Sequence, residues 1–296
     1  MSPDILKTVF LPLALFIILL GMGLSLSPAD FKRVLQSPLA SAVGLFSQFV
    51  LLPLIALGLI RALGLSGEIA VGLMLLASCP GGPTSNLITH LCKGDTALSV
   101  TLTALSSMLA VFTLPWIVGL SMTHFLGDAA TIQLPFLKTL LQLFVITILP
   151  VALGMWVRAT RPGFAARMSR PANAISLIFL ALIIALVFVR EKDLLGQFRK
   201  AGPGAILLNV VAMFLAFTAA RIFRLSRPQS ITISIEAGIQ SGTLALAIAL
   251  GLLDNDRIAI PAVVYSLFMF ISGGAMIAYF GWWKNSTLEE KPFGNA

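Results

Sequence analysis

The sequence predicts an all-α polytopic membrane protein, and three observations carry that reading. Of 296 residues, 58% are hydrophobic and only 11% charged, and the mean hydropathy is +0.98, a balance that would leave a soluble domain with large exposed apolar patches. Apolar stretches of roughly 20 residues, the length needed to cross a bilayer, recur nine times between short polar connections. Two of them, the third and the eighth, carry helix-breaking residues at their centres. Residues 1–296 are then expected to form a single membrane domain, with little chain left for a soluble one.

Taken in order, the first stretch, Thr8–Leu26, has no clear small-residue cleavage site and runs into the polar loop Ser27–Ser37 and a further span. It is expected to be a retained helix and not a signal peptide. Pro38–Leu63 follows, with a lone amide at Gln48. The third stretch, Ile69–Leu91, contains Cys79, Pro80, Gly81, Gly82 and Pro83 in a row. Two prolines around a glycine pair remove backbone donors and abolish helix propensity, so this helix is expected to break at bilayer depth. Ala97–Met122, Leu134–Val157, Ala174–Val189 and Ala205–Phe223 read as further spans. In Ser230–Leu253 the interruption is gentler, made of Glu236, Gly238, Gln240, Ser241 and Gly242, and Ile258–Trp283 is the last span.

Irregular backbone at membrane depth survives only where protein or a water-filled cavity satisfies its polar groups, and paired broken helices in corresponding positions mark transporter binding sites. If the third and eighth spans correspond, the repeat is five helices long and the second copy is inverted. The second span then matches the seventh and the fourth matches the ninth, and the first copy lacks its opening helix.

The net charge of +8 does not point to nucleic acid, because the basic residues sit in short loops and no folded polar domain accompanies them. Lys32 and Arg33, Lys93, the group from Arg158 to Arg170, and Arg221, Arg224 and Arg227 fall in alternate loops, with Lys284 and Lys291 after the last span. By the positive-inside rule the amino terminus is expected outside and the carboxyl terminus in the cytoplasm. Arg190, Lys192, Arg199 and Lys200 break that pattern, partly offset by Glu191 and Asp193. Cys79 and Cys92 have no metal-ligand spacing and no second pair, so neither a disulfide framework nor a zinc site is expected.

Glu236 is the residue most in need of an explanation. A carboxylate inside a span costs roughly 2.5 to 3.5 kcal/mol on insertion scales, and acids at that depth line cavities, proton relays or ion paths. Thr84, Ser85 and Asn86 flank the first break, Ser99 and Thr103 lie four apart on one face of the fourth span, and Glu236 and Gln240 are also four apart. With Gln48 these offer hydroxyl, amide and carboxylate oxygens, a donor set for a small hard cation. One carboxylate with neutral oxygens is too little charge for a tight divalent site, which favours sodium over calcium. The half-helix amino termini at the breaks would present N–H groups to an anion beside it. Taken alone, Ser99, Thr103 and Gln48 are read equally well as helix-bridging residues.

These residues sit in stretches that resemble the bile acid:sodium symporter family across most of the chain. The stretches are Gly21–Phe31 (GMGLSLSPADF), Gln48 and Phe49 with Pro53, Cys79–Gly82 followed by Ser85 and Asn86, Lys93–Asp95 through Ser99 and Thr103, and Ile235–Gln240 (IEAGIQ). The resemblance implies a core (38–122 and 202–283) containing the two crossing helices, moving against a panel (1–37 and 134–200). It also implies one sodium site from Ser85, Asn86, Ser99, Thr103 and Glu236. A second would use Gln48, Glu236, Gln240 and backbone carbonyls near Ala237 and Ile239. The chain departs from the family where substrates approach the crossing, with Pro83 and Thr84 after the glycine pair and Ser241 after Gln240.

The function expected is sodium-coupled import of an organic anion, bile acid-like or a small carboxylate, by alternating access across the plasma (inner) membrane. No enzyme activity, cofactor, nucleic acid or obligate protein partner is expected; the partners are sodium, the anion and the lipid bilayer. The rival readings are a proton-coupled or sodium-independent carrier with Glu236 titrating, an arsenite-type efflux carrier using the Cys79 thiol, and a non-transporting sensor.

Overall fold

The computed structural model of the chain describes residues 11–25, 36–127, 136–190 and 194–287. The end of the Gly21–Phe31 stretch, Lys32, Arg33, Glu191, Lys192, Asp193 and Lys291 lie outside the described residues. Every named element is a helix: α1 Leu11–Ser25, α2 Pro38–Phe46, α3 Leu52–Ala62, α4 Gly67–Ser78, α5 Pro83–Leu91, α6 Thr96–Leu126, α7 Phe136–Thr160, α8 Pro162–Arg190, α9 Leu194–Ile222, α10 Arg227–Gly238, α11 Gly242–Gly251 and α12 Asp256–Thr287. Four stretches among the described residues are long and apolar enough to cross a membrane: Pro38–Ala62, Thr96–Leu126, Leu195–Ile222 and Asp256–Gly281.

Polarity runs opposite to that of a water-soluble protein. Phe214 is 67% exposed and Ile271 66%, whereas Gln48, Ser85, Ser99, Asn209, Glu236 and Gln240 are buried. Hydrocarbon solvates the apolar exterior, and the polar groups must find their partners within the protein.

The two prolines explain the first break residue by residue. Proline disfavours helical backbone at its predecessor. Cys79, before Pro80, is extended at φ −71°, ψ 147°, and Gly82, before Pro83, is extended at φ −103°, ψ 165°. Pro83 then opens α5, where a missing N–H costs nothing because the first helical N–H groups have no intrahelical partner. The second break has a different origin. Gly238 ends α10 and Gly242 begins α11, so the glycines bracket the break and do not form it. The irregular residues are Ile239 to Ser241, with Ile239 at φ −108° and Ser241 at φ −76°, backbone that any residue adopts. What Gly242 provides is space, because a Cβ there would overlap the Ser266 hydroxyl.

The unwound segments satisfy each other where they cross. Gly81 and Gln240 form an antiparallel bridge, and the Ser241 N–H donates to the Pro80 carbonyl at 2.9 Å. Around the crossing, α9 packs on α10 and α12, and α4 on α6 and α12. Across from them α1 packs on α7 and α8, and the two groups meet where α1 touches α11 and α7 touches α6.

Candidate functional site

Five pieces of chain converge on Glu236, and a shared anchor sets the register of two of them. A capping box between Ser226 and Gln229 starts α10. One turn in, the Asp95 N–H donates to the Thr232 hydroxyl at 2.8 Å, while the Asp95 side chain caps α6 by accepting from the Leu98 N–H at 3.0 Å. Four residues on from each anchor stand Ser99 and Glu236, brought together because both helices leave that contact side by side.

Glu236 is fully buried. Its Oε1 accepts from the Ser85 and Ser99 hydroxyls, each at 2.6 Å, and from Thr103 at 3.1 Å. Its Oε2 accepts from Thr103 at 3.0 Å and from the Gln48 Nε2 at 3.4 Å. Asn86 Oδ1 lies 2.8 Å from the Ser99 hydroxyl and 3.4 Å from that of Thr103. The Ser85 hydroxyl also faces the Gly82 carbonyl at 2.7 Å. A hydroxyl carries one proton, so each of these three faces more acceptors than it can serve. Such a surplus of oxygen lone pairs is a set that a bound cation would relieve.

On the other side of the carboxylate the two amides share its backbone. Gln48 Nε2 donates to the Glu236 carbonyl at 3.0 Å. Gln240 Nε2 donates to the same carbonyl at 3.1 Å and to that of Ala237 at 2.9 Å. The amide oxygens of Gln48 and Gln240 are buried without a partner among the described residues. Each costs about 1–3 kcal/mol if it stays unpaired. Ile239 lies in the irregular segment beside them and donates its N–H to the Ile235 carbonyl at 2.8 Å. Gly81 is required here by the carboxylate itself, because a Cβ at that position would stand 2.6 Å from Glu236 Oε2.

Pro83, Thr84 and Ser241 do not touch the carboxylate cluster through any described hydrogen bond; they line a neighbouring cavity of about 230 Å3 together with Gly81, Gly82, Gln240 and Gly242. Its far wall is Ile18 and Met22 of α1 and Leu180 of α8, so the cavity lies where the two groups of helices meet. Thr103 links it to the carboxylate cluster by lining one and bonding the other. Among the described residues the lining holds no Lys, Arg or His.

Three features escaped the sequence reading. Gln48 lies in a π turn, Ser47–Leu51, where the Leu52 N–H bonds the carbonyl of Ser47 five residues back. The signal was Pro53, which cannot donate to the carbonyl of Phe49 in a regular helix and clashes with it. Asn209 Nδ2 and the Tyr265 hydroxyl both donate to the carbonyl of Gly238, at 2.7 and 2.8 Å, where α10 ends. Both are lone polar side chains in apolar spans, legible as polar but not as partners. Ser107 and Thr243, also in the cavity lining, had no distinguishing pattern. Cys79 and Cys92 are buried free thiols, and no group of three His, Cys, Asp or Glu that could hold a metal occurs among the described residues.

The sequence profile of the sodium bile acid symporter family matches residues 12–198, more than half of the chain. The chain belongs to the sodium bile acid symporter family. The similar proteins agree. The "Uncharacterized sodium-dependent transporter YocS" of Bacillus subtilis (strain 168) is 30% identical over 91% of this chain and 82% of its own length. A "Probable sodium/metabolite cotransporter BASS2, chloroplastic" of Oryza sativa subsp. japonica is 29% identical over 96% of the chain and 66% of its own length. The "Sodium/bile acid cotransporter 5" of Rattus norvegicus is 30% identical over 82% of the chain. The chain spans only 56% of that rat protein's length. The sodium bile acid symporter family is one of sodium-coupled membrane transporters and not of enzymes, and the profile match ends at residue 198, ahead of the helix that carries Glu236.

Proposed function

We propose that the chain imports an organic anion together with sodium across the plasma (inner) membrane by alternating access. The observation that carries this reading is the buried Glu236 carboxylate set among three proton-limited hydroxyls and two unpartnered amide oxygens. On this reading one sodium ion is held by Ser85, Asn86, Ser99, Thr103 and Glu236, and a second by Gln48, Glu236, Gln240 and backbone carbonyls near Ala237 and Ile239. Both ions are carried substrates of the cycle and not resident cofactors. The anion binds in the adjoining cavity against Pro83, Thr84 and Ser241. With no cationic side chain in the described lining, its charge is met by the amino termini of α5 and α11 and by sodium next to them. Filling the sodium sites organises the crossing segments, and the anion site with them.

The wider frame is part of the same proposal. Nine spans, with the amino terminus outside and the carboxyl terminus in the cytoplasm, would arise from an inverted five-helix repeat that lacks its first helix. Residues 38–122 and 202–283 would form the core, moving against a panel of 1–37 and 134–200. The contacts of α1 with α7 and α8 support that division.

The test is a thermal-stability titration of the detergent-purified protein with NaCl against KCl at matched ionic strength, on the parent and Glu236→Gln. A ligand bound only to the folded state at a hundred times its Kd stabilises by about 2.7 kcal/mol. The expected result is sodium-selective stabilisation in the parent and none in Glu236→Gln, followed by sodium-driven accumulation of an organic anion in sealed vesicles. Equal responses to the two salts would remove sodium coupling and bring a proton-coupled carrier forward. Sodium-selective binding without accumulation in vesicles would leave a sensor.

A further inference from the structure

Two hydroxyls in the wall of the crossing cavity are left over once the bonds around Glu236 are assigned. Ser107 and Thr243 line the cavity and are only 3% and 9% exposed, yet neither hydroxyl has a hydrogen-bond partner among the described residues. Ser106, the preceding residue, instead turns its hydroxyl back to the Thr103 carbonyl at 3.2 Å. Ser99, Thr103 and Ser107 follow one another at four-residue intervals along one face of α6. The first two bond Glu236, and the third carries the row of oxygens into the cavity wall. Where α1 and α8 close the cavity its wall is apolar, made of Ile18, Met22 and Leu180. Its volume of about 230 Å3 is below the roughly 300–1,000 Å3 of sites that bury drug-sized ligands, and a steroid acid is a ligand of that size. Positive charge is limited too. No Lys, Arg or His is among the described lining, and the helix starts that reach the cavity are those of α5 and α11.

We propose that the cavity takes a compact monocarboxylate bearing a second oxygen, that Ser107 recognises that oxygen, and that Ile18, Met22 and Leu180 exclude steroid acids. This rests on the sodium-coupled reading above and narrows its substrate. The carboxylate lies at the starts of α5 and α11, where each helix presents about half a positive charge, so the two together match one anionic group. A second carboxylate would be stripped of water against the apolar wall with nothing to pair it. A hydroxyl both donates and accepts, so Ser107 suits a hydroxyl or a carbonyl oxygen on the ligand. An acid without one leaves Ser107 buried and unpaired, which is how a hydrogen-bonding site rejects an analogue. The alkyl remainder rests on α1 and α8. Because those helices belong to the group facing the crossing, the size limit is imposed where the two groups meet.

The experiment is a thermal-stability titration of the full chain in detergent, at saturating NaCl with KCl as the control. The probes are valerate, its 2-hydroxy, 3-hydroxy and 2-oxo derivatives, glutarate as the dianion of the same carbon count, and taurocholate below its micellar concentration. At least one oxygenated valerate should stabilise the parent at about a tenfold lower concentration than valerate, the worth of one net hydrogen bond. Glutarate and taurocholate should not stabilise it. Ser107→Ala should abolish the preference over valerate, and Ser107→Thr, which keeps the hydroxyl, should retain it. In a Met22→Ala, Leu180→Ala double variant the octanoate homologue of the preferred acid should bind about tenfold tighter than it does to the parent. If none of the small acids stabilises a parent that still responds selectively to sodium, the substrate class is overturned and the sodium reading stands. Stabilisation by taurocholate or glutarate equal to that by the best small acid overturns the limit on size or on charge. A preference that survives Ser107→Ala overturns Ser107 as the recognising residue, and an unchanged response to the octanoate homologue overturns the wall. A parent without any sodium selectivity overturns the sodium-coupled reading, and this inference with it.

Discussion

The two breaks that cross at Gly81 and Gln240 are made in different ways, and the difference shows where the site is vulnerable. The break between α4 and α5 is local. Pro80 and Pro83 each force their predecessor out of helical backbone, and no neighbour is needed to keep the chain unwound. The break between α10 and α11 contains no proline and no left-handed residue. It is held from outside by Asn209 and Tyr265 on the Gly238 carbonyl, by Gln48 on the Glu236 carbonyl, and by the bond from Ser241 to Pro80. The segment that carries the carboxylate is therefore the one that depends on its surroundings. A segment with a weak local preference is also the one whose conformation ligand binding can shift, because a ligand moves an equilibrium only by its difference in affinity for the two states.

The largest effect expected on this contrast comes from crowding the point where the two breaks touch. Gly81→Ala places a methyl group 2.6 Å from Glu236 Oε2, and the carboxylate must move while its partners stay. Overpacking of this kind costs about 1–3 kcal/mol, and the sodium-dependent stabilisation should fall at least tenfold in apparent affinity. A Gly81→Ala protein with the parent's sodium response would show that the carboxylate is not held at that distance in the ion-binding state.

Next in size is the loss of an outside support. Tyr265→Phe removes one of two donors to the Gly238 carbonyl and should lower stability by about 1 kcal/mol, measured by chemical denaturation, together with a several-fold weaker sodium response. Asn209→Leu removes the other donor, but it also removes a buried amide oxygen with no partner among the described residues. The two losses offset each other in part, so its stability cost should be the smaller one. If Asn209→Leu is the more damaging change, the amide oxygen has a ligand in the working protein.

How much of this was legible in the sequence follows the same division. The first break could be read directly, because proline acts on its own neighbours and needs no tertiary information. The oxygen donors were legible as a set because Ser99 and Thr103, and Glu236 and Gln240, keep helical spacing. Their convergence was not, since it depends on the contact between Asp95 and Thr232, which are 137 residues apart. The glycines of the second break were read as its cause, although Gly242 supplies room for the Ser266 hydroxyl and the irregular backbone lies between them. The supporting roles of Asn209 and Tyr265 could not be read at all, because a lone polar residue in an apolar span names no partner. Residues 26–35 and 191–193, which bear on the topology expected from charge, lie outside the described residues.

The smallest effect is expected at Pro83, and it tests the contrast from the other side. In Pro83→Ala the first position of α5 regains an N–H, and Gly82 is released from the restriction that a following proline imposes. Pro80 and the two glycines remain, so the break should persist, with stability changed by no more than about 0.5 kcal/mol and the sodium response equal to the parent's. Pro83 is exposed to the cavity, however, and the new N–H would point from the start of a helix towards whatever anion binds there. Anion uptake at fixed sodium should therefore change in KM or in preference among anions while the sodium titration does not move. If the sodium response falls with Pro83→Ala as far as with Tyr265→Phe, the first break is not self-sufficient, and the two breaks depend on their surroundings alike.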